Sequence, residues 1–195
     1  MATALDVARI GPNAVLQHLP VLDAEIGETL RGALMLRAGV VEPAQDSGML
    51  EEDEVARLHH AVRLYLPERR ARIQRAAGLA VGNYILANRI PRAAQALIRA
   101  LPAWAGARLL TAAIGKHAWT FAGSGRFRVV SHRPLRLAIA ANPLATGPAE
   151  APICDWHAAV FERLYGALVW PGVRVEEEAC SAMGAPECVF LFHRR

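Results

Sequence analysis

The chain has almost no lysine: Lys116 stands alone among 22 basic residues, and the rest are arginine. That bias reflects GC-rich coding before it reflects chemistry. Long apolar runs are also missing. The two best stretches, Ala76–Ala87 and Leu101–Gly115, are broken by Asn83 and Arg108. Neither approaches the roughly 18–20 clean residues a membrane helix needs, so no membrane span is expected. The N-terminus carries Asp6 and Arg9 inside any would-be apolar segment, which excludes a secretory signal and makes a cytoplasmic location the expectation. Internal repeats and low-complexity tracts are absent. What is present suits a full core: 195 residues, 53% hydrophobic and 21% charged, with a net charge of +4. The arginines are spread along the chain, with one concentration at Glu68–Arg75 and no nucleic-acid reading motif beside it, so a solvated helix face is the plainer reading and nucleic acid is not an expected partner.

Residues 1–122 read as mainly helical and 123–195 as strand-strand-helix-strand-strand, within a single domain of 195 residues. Helices are expected over Pro12–Leu19, Asp23–Gly39, Glu51–Leu66, Ala71–Asn88, Pro91–Leu101 and Pro102–Phe121, from apolar periodicity, proline starts and glycine stops. The four acids Glu51-Glu52-Asp53-Glu54 suit the positive end of a helix dipole. After Gly123-Ser124-Gly125 the period becomes two, giving strands over Arg126–Ser131 and Leu135–Ala140. A proline-rich loop, Asn142–Pro152, leads to an amphipathic helix over Cys154–Val169 and two strands, Gly172–Ala179 and Cys188–Phe192. Helices first and strands later predict an α+β fold: an N-terminal helical layer packed on a C-terminal antiparallel sheet.

Only three cysteines occur, Cys154, Cys180 and Cys188, all within the last 42 residues. Three is the wrong number for a disulfide framework, and clustered thiols favour metal binding or catalysis; buried, unliganded thiols are the alternative. Tetrahedral zinc needs four ligands, and Glu177 stands three residues before Cys180. Strict alternation puts residues 177 and 180 on opposite faces of a strand, so a shared site requires a bulge just before Cys180.

The spacing Cys154…Glu177-Glu178-Ala179-Cys180-Ser181-Ala182-Met183-Gly184-Ala185-Pro186-Glu187-Cys188-Val189-Phe190 resembles the 4-vinyl reductase domain, which also occurs in aromatic-sensing modules of bacterial activators. Within that family the likeness is to its bacteriochlorophyll-biosynthesis branch. Arg9-Ile10-Gly11-Pro12-Asn13-Ala14 and Lys116–Gly125 extend it over nearly the whole chain. The resemblance implies a ligand-binding α+β fold shared with a vesicle-tethering subunit family. It also implies structural zinc on Cys154, Glu177, Cys180 and Cys188.

Two functions follow from the resemblance. One is a carrier or accessory factor that binds a magnesium-porphyrin or chlorophyllide precursor for the magnesium-insertion and porphyrin-methylating enzymes of the pathway. The other is the vinyl reductase itself, with NADPH or a reduced donor as hydride source. Cofactors impose recognisable motifs, and the chain has no G-x-G-x-x-G after a strand; Gly123-Ser124-Gly125 lies between a helix and a strand, the wrong order for a dinucleotide fold. Candidate pigment contacts are His117, Trp119, Phe121 and Trp156, with Arg126 and Arg128 for ligand carboxylates. In the plainer reading Trp119, Phe121 and Tyr84 are core, His117, His132 and His157 lie at helix ends, turns or solvent, and the arginine pair is a solvated sheet face. A third class is a dimeric sensor or scaffold, dimerising through N-terminal helices that carry Leu30 and Leu34.

Overall fold

The computed structural model describes residues 7–194. In chain order its elements are β1 (Arg9–Ile10), α1 (Asn13–Leu16), α2 (Leu19–Ile26), α3 (Glu28–Ala38), β2 (Leu50–Glu51), α4 (Glu52–Tyr65), α5 (Arg70–Asn88), α6 (Arg92–Ala100), α7 (Ala103–Lys116), α8 (Trp119–Ala122), β3 (Arg126–His132), β4 (Leu135–Ala140), α9 (Asp155–Leu168), β5 (Arg174–Ala179) and β6 (Glu187–His193). Local chemistry sets most of these bounds. Glu52, Asp53 and Glu54 occupy the first turn of α4, which runs out before Pro67, while Pro91 and Pro102 stand immediately before α6 and α7.

β3 to β6 form one antiparallel sheet in the order β3-β4-β6-β5, so the last strand lies between two earlier ones. Alternation divides the sheet faces. Leu137, Ile139, Val175, Cys188, Phe190 and Phe192 are buried inward beneath α9, whose Trp156, Phe161, Leu164, Tyr165 and Leu168 complete that layer. Each such large apolar side chain contributes about 1.5–3 kcal/mol on burial. The outer face carries ion pairs: Arg136–Glu178 at 2.7 Å, and Arg128 reaching over β4 to Glu187. This is the solvated arginine face expected from the strand pattern.

The helical layer closes over α9 chiefly through α5. Gly78 and Gly82, one turn apart, let the two helices approach closely: a Cβ on Gly78 would lie 2.8 Å from the Ala159 Cβ and closer still to the Trp156 carbonyl oxygen.

Three expectations change. The helix expected over Asp23–Gly39 is two, because Gly27 takes φ +81°, a left-handed value outside the helical range. The helix expected to reach Phe121 ends at Lys116, and α8 follows as a separate turn. The pairing of β1 with β2 was not anticipated, since two-residue strands have no readable alternation. Of the apolar stripe expected to support dimerisation, Leu34 is buried in the core and Leu30 is exposed.

Candidate metal centre and ligand cleft

Three elements deliver the cysteine cluster. Cys154 is the residue that caps α9, Glu177 lies near the end of β5 and Cys188 near the start of β6. β5 loses register with β6 between Glu177 and Ala179, which turns Cys180 inward, as the alternation argument required. One ligand atom from each of the four residues lies within 4.8 Å of all the others, and all four residues are buried. The Cys154 and Cys188 sulfurs are 3.5 Å apart. Two sulfurs on one tetrahedral zinc, each about 2.3 Å from it, stand about 3.8 Å apart, so only small movement would be needed.

The surrounding groups fit a cation. Glu177 Oε2 accepts the Cys154 N–H at 2.7 Å, while its Oε1 is buried and has no hydrogen-bond partner among the described residues. Burial pushes this carboxyl up to about 9. Without a cation, the thiols share protons. Cys154 is raised because it donates to Cys180 and Cys188, and those two are lowered, to about 5 and about 6, because they accept from it. An orphaned carboxylate oxygen beside three sulfurs is a donor set for a thiophilic divalent ion, with four protein ligands and no open position. The spacing did not reveal the outer contacts: Asn142 Nδ2 donates to Cys154 Sγ at 3.3 Å, and the Ser181 hydroxyl lies 3.2 Å from Cys188 Sγ.

The four candidate pigment residues do not share one wall. His117 is exposed at the C-terminal end of α7, and Trp119, 58% exposed, is neither core nor walled in. Phe121 packs edge-on against Phe127 and Phe161, and Trp156 is fully interior. His157, expected at solvent, is buried between Trp156 and Phe190, because its helix position faces the sheet. Tyr84 is half-buried under Arg89 rather than core.

His157 belongs to a chain of interior rings that sequence reasoning missed: His18, His59, Trp156, His157. Their successive centroids are 4.7, 5.5 and 4.9 Å apart. His18 is held by the Ala14 carbonyl and the Gln74 amide, whereas His59 Nε2, Trp156 Nε1 and His157 Nε2 have no partner among the described residues. Burial lowers all three histidines, His157 to about 4, so the rings are neutral at pH 7. A readable signal existed: His59 falls at helical spacing between the core residues Val55 and Val62.

A cleft of about 520 Å³ lies between α7 and β3, lined by Arg108, Thr111, Ala112, Gly115, Phe127, Arg128, Val129 and His132. Its floor is apolar and aromatic, and its rim carries two guanidinium groups and an imidazole. The Gly123-Ser124-Gly125 turn is already occupied from within: the Ser124 N–H and hydroxyl donate to the Glu52 carboxylate at 2.7 and 2.8 Å. It therefore anchors α4 and offers those donors to no phosphate.

Fold and centre together define a class, an α+β ligand-sensor-like domain with a buried cluster of three cysteines and a glutamate, and residues 135–194 match the 4-vinyl reductase domain. Solved structures share the fold across most of the chain. An H-NOX protein from S. oneidensis superposes with TM-score 0.58 at 10% identity, covering 95% of this chain and 99% of that one. The phenol-responsive sensory domain of the transcription activator PoxR superposes with TM-score 0.56 at 14% identity, over 86% of this chain and 90% of that one. The chain belongs to the family of bacteriochlorophyll synthase 23 kDa chains. It is 58% identical to the one from Cereibacter sphaeroides over 93% of this chain and 89% of that, and 54% identical to the one from Rhodobacter capsulatus over 96% and 88%.

Proposed function

We propose that this chain acts in bacteriochlorophyll synthesis as a carrier or accessory factor, binding a magnesium-porphyrin or chlorophyllide precursor in the α7–β3 cleft. The observation that carries the reading is the composition of that cleft: an apolar floor around Phe127 and Val129 under a rim of Arg108, Arg128 and His132. The floor suits a flat macrocycle, the guanidinium groups suit its carboxylates, and the imidazole suits a metal at its centre. Its volume lies in the ordinary range of roughly 300–1,000 Å³ for ligand sites. Family membership with bacteriochlorophyll synthase chains supports the pathway assignment and its magnesium-insertion and porphyrin-methylating enzymes as partners. Zinc on Cys154, Glu177, Cys180 and Cys188 would be structural, fixing the start of α9 to the ends of β5 and β6.

The test is a titration of the purified protein with magnesium protoporphyrin and with a vinyl chlorophyllide, followed by addition of NADPH. A saturable shift in the absorption spectrum, weakened at least tenfold in Arg108→Gln and unaccompanied by conversion of vinyl to ethyl, is the expected result. Ethyl product formed by this chain alone would establish the reductase instead. No spectral shift with either pigment would overturn pigment binding.

A further inference from the structure

Charge along this chain is segregated. From Arg69 to Ala149 there are thirteen basic residues and no aspartate or glutamate. Part of that charge is neutralised by distant carboxylates: Arg70 by Asp155, Arg75 by Glu162, Arg136 by Glu178. The rest gathers on and around α6 and α7. Among the described residues Arg89, Arg92, Arg99, Arg108, Lys116 and Arg126 form no ion pair. The same helices expose large apolar side chains, with Leu97 at 55% and Trp104 at 57%, Leu109 beside them and Trp119 on the following turn. On α7 the stripe Trp104, Arg108, Ala112, Lys116 repeats every four residues and is exposed throughout, with the Arg108 guanidinium over the Trp104 ring.

Single exposed apolar residues need no explanation. Two indoles and two leucines among unpaired cations, in a stretch without one acid, do. Indoles settle at the headgroup level of a bilayer, leucines reach just below it, and arginines extend their charge back to lipid phosphates. A polyanion such as nucleic acid gives the leucines nothing to do. A second copy would have to bring its acidic N-terminal part to this face, a head-to-tail contact that closed dimers do not use. We infer that the outward faces of α6 and α7, with Trp119, dock this chain on the surface of an anionic lipid bilayer, the helices lying in the interface. The inference does not depend on what the α7–β3 cleft holds.

The experiment is flotation of the full chain with vesicles of phosphatidylcholine alone or mixed with phosphatidylglycerol, at low and high salt. The protein is expected to float only with the anionic vesicles and to be released near 0.5 M salt, where the screening length falls to about 4–5 Å. Each basic residue at an anionic surface is worth about fivefold in partitioning, so Arg89→Gln/Arg92→Gln should bind about 25-fold more weakly. Trp104→Ser should lose most of the blue shift in tryptophan emission that accompanies binding. Unchanged circular dichroism and melting of the variants establish that they fold. Four results would each overturn the proposal: equal flotation with the neutral vesicles, undiminished binding of the double variant, a dimeric mass that Trp104→Ser returns to one chain, or retention on a single-stranded oligonucleotide at salt that frees the vesicles.

Discussion

Replacing Gly78 by alanine adds one methyl group at the crossing of α5 and α9. That methyl would sit 2.8 Å from the Ala159 Cβ, with the Trp156 carbonyl oxygen nearer, where carbon atoms normally approach to about 3.5–4.0 Å. Neither neighbour can swing aside, because one is a Cβ and the other backbone. The helices must therefore part by about 1 Å, loosening α9 over its own sheet. Overpacking of this kind costs about 1–3 kcal/mol, and the parted helices lose contacts as well, while alanine recovers about 1 kcal/mol of helix propensity. The net expectation is a loss of about 2 kcal/mol. In a chain of 195 residues that is a fall in Tm of about 4–8 °C. Gly32 provides the opposite sign: it lies within α3, and a Cβ there would meet nothing within 4 Å. Gly32→Ala should gain about 0.5–1 kcal/mol and raise Tm by about 1–4 °C. Thermal unfolding followed by circular dichroism measures both. A Gly78→Ala protein that melts at or above wild type would refute the close crossing.

Other expectations are directly measurable. Zinc binding at pH 7 should release about two protons per ion, because Glu177 and Cys154 are protonated in the cation-free cluster while Cys180 and Cys188 are pushed down; calorimetry in buffers of different ionisation enthalpy counts them, and zero release would refute the assignment. Cys180→Ser should lower the bound metal from about one ion per chain and destabilise the fold. His157 is neutral in the folded chain down to about pH 4, whereas the unfolded chain takes up a proton near 6.5, so stability falls as pH drops through that window. The slope is about 1.4 kcal/mol per pH unit, and the stability difference between wild type and His157→Phe should carry it; a difference independent of pH between 7 and 5 would contradict the buried neutral ring. Glu52→Ala removes the acceptor of two Ser124 hydrogen bonds and should cost about 1–3 kcal/mol in urea unfolding, with little change in Glu52→Gln if the amide oxygen takes over.

The order of helices and strands was legible because period and punctuation are local: prolines before α6 and α7, acids opening α4, and a clean switch to alternation after Gly125. The metal cluster was legible for a different reason. Thiols are scarce here, and a carboxylate three residues from one of them can join it only through a bulge, which β5 supplies. Where the signal failed, two locally reasonable readings competed. A glycine inside a helical pattern can be tolerated or can break it, and Gly27 breaks it with a positive φ. His59 and His60 are neighbours in sequence, yet one is interior and the other exposed. The partners of the interior histidines are distant, as with Gln74, 56 residues from His18, so no window of sequence displays them. The pigment candidates were grouped by proximity along the chain, whereas the cleft is built by α7 facing β3 across a turn.

The position of β6 constrains how the molecule is made. This strand is synthesised after every element it joins, yet it fills the gap between β4 and β5 and supplies Cys188. During translation the sheet therefore waits as a β3–β4 hairpin with an open edge and a separate β5, and the cation site is one sulfur short. Pairing and metal capture must come late and together, so a ribosome paused before residue 187 would hold a chain whose helices can form while its sheet stays open to mispairing and to chaperones.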